Sequence, residues 1–134
     1  MSKQIKIQKF RTNDLNPGTG KQIEFGNSWC EDFFKIPSTE LEKTLTLSFI
    51  PLSSDYQKWN GKIISLKLSN VTGRSDRKAY CNGNNGYSQL KDFFVTDLKL
   101  TEKDNLSDYF ALLKISDSEY NLYYVPNLLY SNFV

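Results

Sequence analysis

The sequence predicts a mostly β domain with short helices, built on about seven short strands. Three observations carry that expectation. Apolar and polar residues alternate with period two in several separate runs, which is the pattern of half-buried strands. Turn-forming Asn, Asp, Gly and Pro clusters separate the runs. At 134 residues, 39% hydrophobic and with 19 aromatics, the chain can bury one modest core and fits one domain, residues 1–134.

In chain order, Ile5 and Ile7 alternate with Lys6 and Gln8, and Gln22–Phe25 forms a second short strand. Ser28-Trp29-Cys30-Glu31 matches a capping box that opens one or two helical turns through Phe34. Pro37-Ser38 precedes Thr39–Lys43, where acids come early and a base late, an order that suits a helix dipole. Leu45, Leu47 and Phe49 then alternate with Thr44, Thr46 and Ser48, and Ile64, Leu66 and Leu68 with Ser65, Lys67 and Ser69. Lys78–Cys81 reads as another strand, and Ser88 can cap a helix over Gln89–Phe94. Phe110–Ile115 and Tyr120–Val125 close the set across an Asp117-Ser118 hairpin turn. The tail stays apolar and aromatic to Val134, which points to the N-terminal part of a longer protein.

Composition excludes several chemistries. The chain has no histidine, so Ser–His and Cys–His nucleophile pairs cannot form. Cys30 and Cys81 are isolated and are expected as reduced packing residues, not as a metal site. No catalytic residue, metal or cofactor is expected. Met1–Phe10 lacks an apolar export core, and the longest apolar runs, such as Leu128-Leu129-Tyr130, cannot span a bilayer. A cytoplasmic protein without a membrane partner is the expectation.

Net charge is only +2, yet its distribution is uneven. Residues 1–30 hold five bases and two acids, and residues 61–91 hold six bases and one acid. The intervening and final segments are acidic. Two cationic stretches suit a polyanion. Each contains a loop rich in side chains that read base edges. The first is Arg11–Gln22, with Arg11, Asn13, Asp14, Thr19, Lys21 and Gln22, and no regular element is expected there. The second spans Arg74–Gln89, with Arg74, Ser75, Asp76 and Arg77, then Asn82, Asn84, Asn85 and Gln89. Arg pairs bidentately with guanine, Asn and Gln with adenine, and Asp accepts from cytosine. All three arginines lie in or beside these loops. Lys9, Lys62, Lys67, Lys78 and Lys91 are the expected phosphate contacts.

These residues resemble the B3-type DNA-binding domains, in particular the N-terminal effector domain of the EcoRII restriction endonuclease and its bacterial relatives. The resemblance rests on the Asn-Asp loop leading to Thr19-Gly20-Lys21-Gln22, on the Ile36-Pro37-Ser38 entry to a short helix, and on the Arg-rich strand opening into Tyr80-Cys81-Asn82. It implies a seven-stranded open β pseudobarrel that grips the major groove of double-stranded DNA with two arms. The N-arm would be Arg11–Gln22. The C-arm would be Arg74–Gln89, with Tyr80 added to its contacts. It further implies the targeting module of a restriction system, joined to a nuclease or a GTP-driven translocating domain in the same or a partner chain. Gly83-Asn84-Asn85-Gly86 departs from the bulkier, more basic C-arms of the family, so the recognised bases do not transfer. The sequence has no GxxxxGK[ST] loop, and Asp55 with Lys58 lacks the Glu-x-Lys partner of a nuclease. A different reading is a protein-binding module, such as a phage or plasmid inhibitor, with Tyr120, Tyr123, Tyr124, Tyr130 and Phe133 as an exposed aromatic patch.

Overall fold

The computed structural model describes residues 4–17, 23–26, 28–36, 42–70, 77–80 and 89–133. The fold is mostly β with few, short helices. Among the described residues seven strands form one mixed sheet: β1 (Ile5–Lys9), β2 (Ile23–Phe25), β3 (Glu42–Phe49), β4 (Ile63–Asn70), β5 (Arg77–Tyr80), β6 (Tyr109–Lys114) and β7 (Glu119–Val125). Their order is β1-β6-β7-β3-β4-β5-β2, with β1 and β2 at the two edges. All neighbours are antiparallel except β3 and β7. Among the described residues no helix is long and apolar enough to cross a membrane.

Alternation explains the inner face. Leu45, Leu47 and Phe49 on β3 and Ile64, Leu66 and Leu68 on β4 are almost entirely buried, while their neighbours point outward. Phe110 and Leu112 of β6 and Tyr120, Leu122 and Tyr124 of β7 extend the same face. The sheet curls enough to bring rings from its far ends together. Phe110 lies 6.3 Å from Phe25 of β2 and stacks at 6.0 Å on Trp29. Trp29 sits in a π-type turn, Ser28–Phe33, that carries Cys30, Phe33 and the adjoining Phe34 into the core. The helical signal at Ser28 is therefore real, in a wider turn than the expected α-type. Cys30 is buried with Sγ 3.5 Å from the Phe25 carbonyl oxygen.

Four expectations need correction. Glu42 and Lys43 belong to β3, because the ladder with β4 continues through Lys43↔Leu68 and Glu42↔Ser69; residues 39–41, the rest of that expected helix, and the Pro37-Ser38 before it lie outside the described residues. The N-arm begins with a one-turn helix, α1 (Thr12–Leu15), not with loop. Tyr120 and Tyr124 are core residues, 1% and 6% exposed, and cannot serve as surface anchors. On β1 the period is right but the expected inward face is inverted. Lys6 and Gln8 lie opposite Leu112 and Phe110, so they share the core side, with Lys6 Nζ 5.5 Å from the Trp29 ring. Ile5 and Ile7 consequently face out.

Several short elements carry no expectation from the sequence. A 3₁₀ turn, Ser54–Trp59, is capped by Ser53, whose Oγ accepts from the Asp55 N–H at 3.2 Å. Thr101 caps a one-turn helix, Glu102–Asn105: its Oγ1 accepts from the Asp104 N–H at 3.1 Å, and Asn105 Oδ1 accepts from the Thr101 N–H at 2.7 Å. Thr-x-x-Asp was a legible cap signal. The chain after β7 makes a turn, Asn127–Leu129, and a last helical turn, Tyr130–Phe133.

Asp108, 8% exposed, ties that tail to the sheet. Its carboxylate accepts from Tyr124 Oη at 2.6 Å, Asn105 Nδ2 at 2.9 Å and the Asn127 N–H at 2.8 Å. Burial, then the Asp108 hydrogen bond and charge, hold the Tyr124 hydroxyl well above the ordinary tyrosine range. Burial, with Asp117 adding to it, pushes Tyr120 up to about 12. An unfolded tyrosine ionises near pH 10 and these do not, so the unfolded chain loses protons first as pH rises. Stability should fall by about 1–2 kcal/mol between roughly pH 10 and 12. Urea midpoints across that window check this, and Tyr120→Phe should flatten the decline; an unchanged decline would remove Tyr120 as its source.

Candidate nucleic-acid interface

The strand register decides where the two cationic segments leave the sheet. β2 and β5 run antiparallel, with Ile23 opposite Ala79 and Phe25 opposite Arg77. The chain therefore enters β2 from the N-arm and leaves β5 toward Asn82 at the same end. Lys9, at the close of β1, and Lys62, just before β4, are exposed at that end too. Arg77 begins β5 at the opposite end. The expected C-arm is thus divided by a strand.

Within the N-arm, α1 is held by its own charges. Asp14, 1% exposed, accepts from the Arg11 N–H at 3.0 Å and from the Arg11 guanidinium at 3.2 and 3.1 Å. The same guanidinium donates to the Glu24 carbonyl on β2. It thereby links the segment just after β1 to β2, the two edge strands. Leu15 packs into the core beside this pair. Asp14, buried with both carboxylate oxygens engaged, is a scaffold residue, and the half-exposed Arg11 holds it through Nε and Nη2. Asn13 and Thr12 remain exposed on the outside of the turn.

The C-arm closes on a helix, α2 (Gln89–Asp92), which runs into a π-type turn, Phe93–Asp97. Gln89 Oε1 accepts from the Ser65 N–H at 2.8 Å, extending hydrogen bonding along β4 beyond its ladder with β5. Gln89 is otherwise exposed. Lys91 is fully buried, and its Nζ donates to the Asn13 carbonyl at 2.6 Å. Burial pushes its ammonium below the ordinary lysine range, with Asp14 acting in the opposite sense. A side chain so enclosed cannot meet a phosphate, and Lys91 leaves the set of expected phosphate contacts. It instead ties the roots of the two arms, 78 residues apart in sequence. Helical spacing held the clue: Lys91 lies three residues before Phe94 and directly after Leu90, on the apolar stripe of its helix.

The other expected contacts divide plainly. Lys67 is half-buried on the outer side of β4. Arg77, Lys78 and Tyr80 belong to β5. Thr19, Lys21, Gln22, Arg74, Ser75, Asp76, Asn82, Asn84, Asn85 and Cys81 lie outside the described residues. Beside the N-arm, Leu15, Pro17, Val95, Leu100 and Glu102 line a cleft of about 270 Å³, bridged by Asn16 Nδ2 donating to Glu102 Oε2 at 2.8 Å. Comparison of the chain with protein-family models, curated proteins and solved structures finds no match.

Proposed function

We propose that this chain is a sequence-specific double-stranded DNA-binding domain, a seven-stranded open pseudobarrel of the B3 type that reads the major groove with two arms. In this reading it is the cytoplasmic targeting module of a restriction system, and a nuclease or GTP-driven translocating domain in the same or a partner chain supplies the chemistry. The observation that carries the proposal is the Lys91–Asn13 tie at 2.6 Å. Two segments singled out independently by charge and by base-reading side chains have their roots joined by a buried contact. A pair of arms fixed relative to each other can meet one groove in one register, which specificity requires.

In this reading the arms and the flanking lysines divide the labour. Base reading falls to Asn13, Thr19, Lys21 and Gln22 on one arm and to Tyr80, Asn82, Asn84 and Asn85 on the other. Lys9 and Lys62 hold phosphates at the same end. Arg74, Ser75, Asp76 and Arg77 complete the second arm, and Lys67 and Lys78 serve as phosphate contacts.

Selection from a random duplex library at about 0.15 M salt, where non-specific attraction is partly screened, should enrich one short motif. Asn82→Ala should then weaken binding to that motif by about 1–3 kcal/mol with little change on random DNA. Lys9→Ala should weaken all sequences alike and lower the salt slope by about one unit. Absence of both an enriched motif and salt-dependent binding would overturn the assignment.

A further inference from the structure

The outward side of the sheet has two characters. On β3 and β4 it presents Thr44, Thr46, Ser48, Ser65 and Lys67, a polar surface of the ordinary kind. On β1, β6 and β7 it is mostly apolar, with Asn121 of β7 opposite Leu113. The register sets Ile5 beside Leu113, and Ile7 beside Ala111 and Tyr123, with Ile115 next along β6. Ile5 and Ile115 remain 48% and 50% exposed. The chain after β7 covers only one end of this surface: Tyr130 stacks on Tyr109 at 4.2 Å, and Val125 has no exposure. Single exposed aliphatics mean little, but a contiguous apolar surface across three strands marks an interaction site.

The charges at its corners indicate what covers the rest. Lys9 stands at the end of β1 and Glu119 at the start of β7, both exposed, at diagonally opposite corners. We propose that this face is the interface of a symmetric dimer of the chain. A two-fold axis along the other diagonal sets Lys9 against Glu119 of the second copy, twice over, and stacks the apolar rows between the two pairs. Strands of the two copies then cross near a right angle, a packing that sheets adopt. Three strands by five residues give a footprint of about 14 by 17 Å. A contact of that size belongs to the weak, transient class. The dimer is measured without DNA and so stands or falls apart from the DNA reading; Lys9 is the residue the two share, and dimer and duplex compete for it.

Sedimentation velocity of the full chain from about 5 to about 500 µM tests it, a range that spans weak association. The weight-average mass should rise from 15.5 kDa toward twice that value. Ile115→Lys, exposed and therefore harmless to folding, should hold the chain monomeric, with circular dichroism confirming the native fold. Glu119→Lys should weaken association about tenfold, and Lys9→Glu combined with Glu119→Lys should restore it. A chain monomeric across the whole range overturns the proposal. A dimer that ignores Ile115→Lys, or one that the charge exchange fails to restore, assigns association to another surface and overturns it equally.

Discussion

Replacing Phe110 with alanine should cost about 4 kcal/mol, close to the whole stability of a marginal domain. The ring has no exposure and sits where four others converge: Phe94 at 5.4 Å, Phe10 at 5.5 Å, Trp29 at 6.0 Å and Phe25 at 6.3 Å. It bridges β6 to β2 and the π-type turn, two regions that the sheet joins only through four intervening strands. Removing it leaves a cavity lined by rigid rings, which relax poorly into the space. Urea unfolding monitored by Trp29 fluorescence measures the loss. Phe110→Leu, which keeps most of the volume, should cost about 1–1.5 kcal/mol. A loss below about 2 kcal/mol for the alanine variant would mean that the curled sheet is held elsewhere.

Asp14→Ala should cost about 3 kcal/mol, by a different mechanism. The carboxylate is buried, holds the Arg11 N–H and guanidinium, and is the charge that opposes the desolvation of Lys91. Without it the buried ammonium loses the charge that opposes its desolvation. The Arg11 side chain is 46% exposed, so its ion pair with Asp14 is screened and the larger share of the effect comes through Lys91. Lys91→Met should therefore be nearly neutral, within about 1 kcal/mol, because it removes the charge together with the need to balance it. The double variant should be more stable than Asp14→Ala alone. Chemical denaturation of the four proteins closes the cycle; additive losses would show that the two residues act independently. Lys91→Met should also leave the salt slope of DNA binding unchanged, which separates a structural lysine from a phosphate contact.

The secondary structure was largely legible. Strong alternation at Leu45–Phe49, Ile64–Leu68 and Phe110–Tyr124 located β3, β4, β6 and β7 because one face of each is buried in full. Thr39–Lys43 misled because dipole order is a weak local preference, whereas the β3–β4 ladder adds backbone hydrogen bonds and wins. The roles of the site residues were less legible. Arg11, Asp14 and Lys91 have the composition of a polyanion site, and composition does not say whether a charge faces water or another part of the chain. Only Lys91 betrayed itself, by its place on an apolar helical stripe.

By itself the sequence determined the strand periods, the turns between them and the location of the two cationic segments, since each depends on neighbours within a few residues. Tertiary structure alone decided which side of β1 faces the core. A strand of alternating Ile with Lys and Gln satisfies either orientation locally, and the choice fell to its pairing with Phe110 and Leu112 on β6. Burial of Lys91 against Asn13 was settled at the same level. Contacts between residues far apart in the chain fix both, and no local pattern encodes which distant surface a side chain will meet.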